Sequence, residues 1–546
     1  MKRFLIPILL LALLLAGCSG ADTPPETEGN RDTTGRYALS DGGEALIVGP
    51  SGWDAPAEDN ARVFYEIFVG SFSDSNGDGI GDLKGILNRI DYLAGKGGEG
   101  LGVEGLWLTP IFKSTTYHKY NVMDYYEVDP SFGTGEDLIA LLDACHQRGV
   151  KVILDLPLNH TGTLCPWFQS FAAAHRNGDP EDPYYDFYSY YIRGESDPEA
   201  GHSYAQLAGT ELMYECNFDS GMPELNFDSE AVRETVLEVA KHYLDLGVDG
   251  FRFDAAKYIY FGDNARSAAF WQWYIGELKR IKPEIYTVAE VWDGDGVTDK
   301  YYPALNCFDF TVSGSSGVIA QAAKAGDVNR YTAYVESYLA RIRELNGEAM
   351  MVPFVANHDM DRAAGFLTVA SGQMQMAANL YLLSPGSPFI YYGEELGMRG
   401  SRGGASTDAN RRLKMEWGDG DTVKDPEGTT YAASNRAPGT FEEQKGDGDS
   451  LYSYYKRLIR LRRAYPAVAR GEYVPLNLTG TKAGVFTAEW QGQRVRVVHN
   501  TSGSAVTLPG FEGWQIGDAI GAGSASLQEG TLTLEGQTSV ILTPAE

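Results

Sequence analysis

Cysteine is scarce, five among 546 residues. Four of the five, Cys145, Cys165, Cys216 and Cys307, follow no metal-binding spacing. Basic side chains are also under-represented: 45 Lys and Arg stand against 74 Asp and Glu, for a formal net charge of −29. A surface of that sign repels phosphate polyanions, which excludes a nucleic-acid partner and suits a neutral substrate or bound cations. No fixed-period repeat is visible, and beyond the first residues there is no apolar run long enough to span a membrane. Aromatic residues are what the chain has in quantity, 12% with 33 Tyr. Large cores consume aromatics, and exposed Tyr and Trp faces stack on flat ligands such as sugar rings.

The first residues read as an export signal. Lys2 and Arg3 precede an apolar run, Phe4 to Leu15, too short for a comfortable span. Leu15-Ala16-Gly17-Cys18 resembles the lipoprotein box of bacteria, in which cleavage leaves the Cys as a lipid-bearing N-terminus. Ser19 carries no inner-membrane retention signal. The expectation is an exported protein held to the cell membrane or cell surface by lipid on Cys18. An exported location permits disulfides, with Cys165 and Cys216 as a candidate pair.

Domain organisation follows from composition shifts. A signal peptide of 1–17 leads into a tether of 18–58, rich in Pro, Glu, Gly, Thr and Asp. From Val63 short apolar strands alternate with amphipathic helices, the pattern of a parallel sheet wrapped by helices. Eight strands are expected: Val63–Phe68, Gly105–Thr109, Lys151–Asp155, Gly250–Asp254, Ile285–Glu290, Phe308–Phe310, Pro353–Ala356 and Phe389–Tyr392. Thr134 with Asp137 three residues on predicts a capped helix running to Gly149. Val232, Val236, Val239 and Tyr243 predict a second, and Leu451 to Tyr465 a late one ended by Pro466. About seventy residues of low helical periodicity follow the third strand, which predicts an inserted subdomain over the barrel mouth. The fold expected is therefore a (β/α)8 TIM barrel in two parts, 59–157 and 228–468, with an insertion at 158–227. Short alternating strands such as Arg494–His499 and Thr531–Glu535 predict a C-terminal β-sandwich at 469–546.

The chemistry concentrates at strand ends. In Gly250-Phe251-Arg252-Phe253-Asp254, alternation places Arg252 and Asp254 on one face. A guanidinium beside a carboxylate keeps it ionised, as a nucleophile requires. Glu290 ends the next strand among apolar neighbours, with Trp292 placed to cover it. Burial and a neighbouring anion would keep Glu290 protonated as a general acid. Asp359, in Asn357-His358-Asp359, ends the seventh strand. Three carboxylates on one rim, two of them about 5–5.5 Å apart, constitute the machinery of a retaining glycosidase. Separately, Asp74, Asn76, Asp78 and Asp82, with the carbonyl of Ile80, place oxygen ligands at alternate positions around Gly turns, which suits Ca2+. Position twelve is Gly85 rather than Glu, so the loop is not an EF-hand.

These motifs, in this order, resemble the α-amylase family, glycoside hydrolase family 13, from about Val63 to Tyr465. Asp155-Leu156-Pro157-Leu158-Asn159-His160, Gly250–Asp254, Glu290 and Phe354–Asp359 match its first four signatures. The resemblance implies Asp254 as nucleophile, Glu290 as acid/base and Asp359 as transition-state stabiliser. It implies sugar contacts from Tyr120, His160, Arg252 and His358, and from Lys257 on the leaving-group side. It also implies the Ca2+ loop at Asp74. The chain departs from the family at Asn121, where Asp is commoner. It also departs at Tyr258 and Asn226, where the separate Ca2+ site of typical α-amylases uses His and Asp. Met222-Pro223-Glu224-Leu225-Asn226 resembles the fifth signature of members intermediate between α-amylases and neopullulanases. The expected activity is hydrolysis of α-1,4-glucosidic bonds in starch-like polymers and maltooligosaccharides by a monomer. A 4-α-glucanotransferase, an exo-acting α-glucosidase or neopullulanase, and a non-catalytic glucan-binding protein are the alternatives.

Overall fold

The computed structural model describes residues 59–545, apart from 96–98, 405–406, 477 and 479. The signal segment, Cys18 and the tether lie outside the described residues. Among those described, no helix is long and apolar enough to cross a membrane.

Seven strands form one parallel sheet. Its order is Asn306–Cys307, Tyr286–Ala289, Gly250–Phe253, Lys151–Leu156, Gly105–Leu108, Phe64–Ile67 and Phe389–Tyr391. Residues 351–356 close the gap between the two ends. Phe308 bridges Val352 in parallel, and the Phe389 N–H donates to the Pro353 carbonyl at 3.0 Å. The expected eight-position cylinder results, with two differences. The sixth strand lies at Asn306–Cys307, before the expected Phe308–Phe310. The seventh position is an irregular segment with one bridge, because Pro353 has no N–H to give the ladder. Trp107, Ile153, Val288, Phe308, Val352 and Phe389 fill the interior as one apolar cluster, so the cylinder is a packed core and not a pore.

The helices around it form where the apolar spacing requires. Gly135–His146 starts at a capping box of Thr134 with Asp137 and buries Leu138, Leu141, Leu142 and Cys145. Glu230–Asp245 buries Val232, Val236, Val239 and Tyr243 on one face; each such side chain contributes about 1.5–3 kcal/mol of burial. Gly247 follows at φ +108°, a conformation that ends the helix and costs a side-chain-bearing residue strain.

The segment after the third strand is more regular than its sequence suggests. It holds a helix, Pro166–Asn177, with Phe168, Phe171, Ala172 and Ala174 buried. A three-stranded antiparallel sheet follows, with Leu212–Glu215 in the middle. Bridges from His160 to Glu224 and from Tyr188 to Leu225 tie the end of the segment back to its beginning and middle. Cys165 and Cys216 are both buried and free, as are Cys145 and Cys307, so the candidate disulfide is absent. The C-terminal strands form a five-stranded and a three-stranded antiparallel sheet that share a core including Val485, Val498, Leu532 and Val540.

Candidate active site

Arg252 is the hub of the rim. It is wholly buried, and Nη1 donates to Asp155 Oδ1 at 2.8 Å and to Asp254 Oδ1 at 2.6 Å. Its Nη2 lies 3.2 Å from Glu290 Oε2. One guanidinium thus touches both Asp254 and Glu290, which fixes them on the same side of the cleft. A buried charge survives only when paired and hydrogen-bonded, and Arg252 has three carboxylates. The indole of Trp107 covers its guanidinium at 5.2 Å.

The turn after Asp254 adds a second link. Ala255 adopts a left-handed conformation, φ 49° and ψ 38°, which a non-glycine residue enters only when surroundings impose it. Its N–H donates to Glu290 Oε2 at 3.1 Å. Burial raises the Glu290 carboxyl to about 7, with Asp254 and Asp359 pushing the same way and Arg252 opposing. That is the direction a general acid needs at neutral pH. Trp292 does not close over Glu290: it stacks on Phe310, centroids 4.7 Å apart, and remains 47% exposed.

Asp359 is held oppositely. Burial would raise it, yet the His358 imidazolium and the Arg412 guanidinium keep it well below the usual carboxylate range. His358 Nε2 lies 2.9 Å from Asp359 Oδ2, and Arg412 Nη2 donates to Oδ1 at 2.7 Å. The Tyr120 hydroxyl donates to Asp155 Oδ2 at 2.9 Å and lies 2.7 Å from His358 Nε2; the two rings are near parallel, 5.7 Å apart. His160 is buried, and neither ring nitrogen makes a hydrogen bond of ordinary geometry. A buried polar group without a partner is costly, so His160 is suited to a ligand hydroxyl. Lys257 Nζ donates to the Trp292 carbonyl at 2.9 Å and to Asp293 at 3.0 Å.

All three acids, with Tyr120, His160, Lys257 and Arg412, line one cleft of about 790 Å³, a size that holds a small oligosaccharide. Arg252 and His358 support it from beneath. Asn121 donates to the Gly221 carbonyl at 3.3 Å, joining the barrel to the insertion. Sequence reasoning missed Arg412. It sits in an irregular loop after the eighth strand, where no periodicity singles it out, and only its fixed contacts reveal it: Asp359, the His358 carbonyl at 3.1 Å and the Tyr117 hydroxyl at 3.0 Å.

The Asp74 loop lies apart from this cleft. Asp74 accepts amides from Asn76, Gly77 and Gly79, Asn76 from Asp78, and Asp78 from Ile80. Asp82 caps a helix through Gly85. Among the described residues, no three His, Cys, Asp or Glu side chains are gathered into a metal-holding group.

Residues 66–471 match the model of the α-amylase catalytic domain. The chain belongs to the α-amylase family. Across 458 residues it is 36% identical to Alpha-amylase 3 of Dictyoglomus thermophilum, covering 82% of this chain and 86% of that protein. It is 29% identical to a 4-alpha-glucanotransferase of Thermotoga maritima, covering 82% and 98%. Amy13B of Eubacterium rectale superposes with a TM-score of 0.83 at 32% identity, covering 90% and 96%. The protein is an α-amylase-type glycoside hydrolase of family 13 and acts on α-glucans.

Proposed function

We propose that the enzyme hydrolyses α-1,4-glucosidic bonds in starch-like glucans and maltooligosaccharides with retention of configuration. In this reading Glu290 protonates the glycosidic oxygen while an Asp254 oxygen attacks the anomeric carbon, forming a glycosyl ester and releasing the reducing-side sugar. Glu290, now ionised, takes a proton from water, which attacks the same carbon and frees Asp254. Asp359, kept ionised, accepts hydrogen bonds from ring hydroxyls as the sugar flattens. The observation that carries the reading is Arg252, which holds Asp254 and Glu290 in contact with a single guanidinium. The test is the product profile on maltoheptaose with Asp254→Asn as control. Shorter maltooligosaccharides from the wild type and none from the variant are expected. Products longer than the substrate would replace hydrolysis by glucan transfer, the second reading, which the likeness to a 4-alpha-glucanotransferase favours.

Two further expectations belong to this proposal. Asp74, Asn76, Asp78, Asp82 and the Ile80 carbonyl offer hard oxygen donors, the chemistry that suits Ca2+. Chelation should then lower Tm, and an unchanged Tm with no metal by elemental analysis would remove the ion. Lipid on Cys18 would hold the enzyme at a membrane, and mass spectrometry of the mature N-terminal peptide tests it.

A further inference from the structure

Beneath the cleft, His358 is enclosed on every side, and its hydrogen-bond partners can be counted. Nδ1 faces Glu66 Oε1 at 2.6 Å, and the same oxygen accepts the His358 backbone N–H at 3.3 Å, which marks it as an acceptor. Nε2 faces Asp359 Oδ2 at 2.9 Å and the Tyr120 oxygen at 2.7 Å. The single Tyr120 hydroxyl hydrogen is already given to Asp155, so toward His358 that oxygen also accepts. A neutral imidazole donates through one nitrogen and needs a donor at the other. Here both nitrogens meet only acceptors.

We propose that Glu66, a barrel-strand carboxylate outside the three acids, is a positioning residue that keeps His358 doubly protonated. The imidazolium so held then locks Asp359 as an ionised acceptor for the sugar. Glu66 and His358 are wholly or almost wholly buried, which makes an unpaired charge on either expensive and the pair mutually obligatory. The groups facing His358 from the packed elements agree. Glu66 comes from the first strand and Asp155 from the third. Asp359 comes from its own segment, and Tyr120 from the loop after the second strand. Arg412 binds the carbonyl of His358 rather than the ring, and His118 and Arg252 are the other nearby titratable side chains. Burial alone would discharge the ring, yet Asp359 and Glu66 raise it to about 10.

This chain offers a carboxylate where an amide would fit the same space, so Glu66→Gln is the informative variant. It preserves an oxygen acceptor for Nδ1 and removes the charge. The measurement is the ring N–H resonances of 15N-histidine-labelled enzyme through about pH 6–9, a window centred on ordinary histidine chemistry and above. The two His358 resonances are assigned by their loss in His358→Asn. In the wild type both persist across the window. In Glu66→Gln one disappears within it, kcat falls more than KM changes, and the alkaline side of the rate profile gains a second ionisation. The proposal is overturned if the wild type shows a single His358 ring N–H at neutral pH. It is equally overturned if Glu66→Gln matches the wild type in spectrum and profile while only Glu66→Leu is damaged. Should Glu66→Gln not fold, the wild-type titration decides alone. The kinetic arm rests on Asp359 gripping the sugar, whereas the spectrum of the unliganded enzyme does not, so the two failures are distinguishable.

Discussion

Two sets of carboxylates lie at barrel strand ends in this molecule, one partly open to the cleft at Asp254, Glu290 and Asp359 and one buried at Glu394 and Glu395, and they are held in opposite ways. At the rim, Asp155, Asp254, Glu290 and Asp359 are threaded by Arg252, His358 and Arg412. After the eighth strand, Glu394 and Glu395 are held by phenols. Glu394 accepts from Tyr381 at 2.7 Å and Tyr455 at 2.8 Å, and Glu395 from Tyr65 at 2.8 Å and from Tyr92. Burial raises Glu394 to about 7. The first set has cations in contact beside an open cleft, and there Asp359 is held well below the usual carboxylate range; the second has only phenols around it inside packing. Burial alone therefore does not mark a working acid; a cation in contact and a face toward the cleft do.

That contrast can be broken experimentally, beginning where the effect is largest. Glu290→Gln should lower kcat by about 10²–10⁴-fold, the usual contribution of a general acid, whereas Glu395→Gln should leave kcat near wild type. Because Glu290 must be protonated to act, kcat/KM should also decline as pH rises through about 7. Arg252→Ala leaves the buried Asp155 without its guanidinium partner and should cost about 3–5 kcal/mol in denaturant unfolding. A loss under 1 kcal/mol would show that water replaces the guanidinium. The smallest effect concerns Glu394. Its folded pKa is raised above 4.5, so its stabilising contribution is complete below about 4.5 and lost as pH rises through about 7. Tm of Glu394→Gln should accordingly lose part of the wild-type decline between those values, and parallel Tm curves would assign that decline elsewhere.

Much of the site is legible in the sequence. Strand ends carrying Asp254, Glu290 and Asp359 were legible because strand alternation and (β/α) spacing constrain which side chains share a rim. Other features were not. The helix Pro166–Asn177 carries Phe168, Phe171, Ala172 and His175 at helical spacing and ends at Gly178, yet its aromatic and Pro-rich surroundings read as irregular. Glu66 is invisible to pattern reading, since a lone carboxylate in an apolar strand resembles an edge position. Only its 2.6 Å contact with His358 gives it meaning. Arg412 arrives from a loop whose path is set by tertiary contacts, and local sequence says nothing of where such a loop will land.

The left-handed turn at Ala255 has a mechanical consequence. Asp254 and the amide that steadies Glu290 are consecutive along the backbone, so one peptide unit gears the proposed nucleophile to the proposed proton donor. A catalyst assembled this way can change what it grips while the interval between its two working parts stays constant.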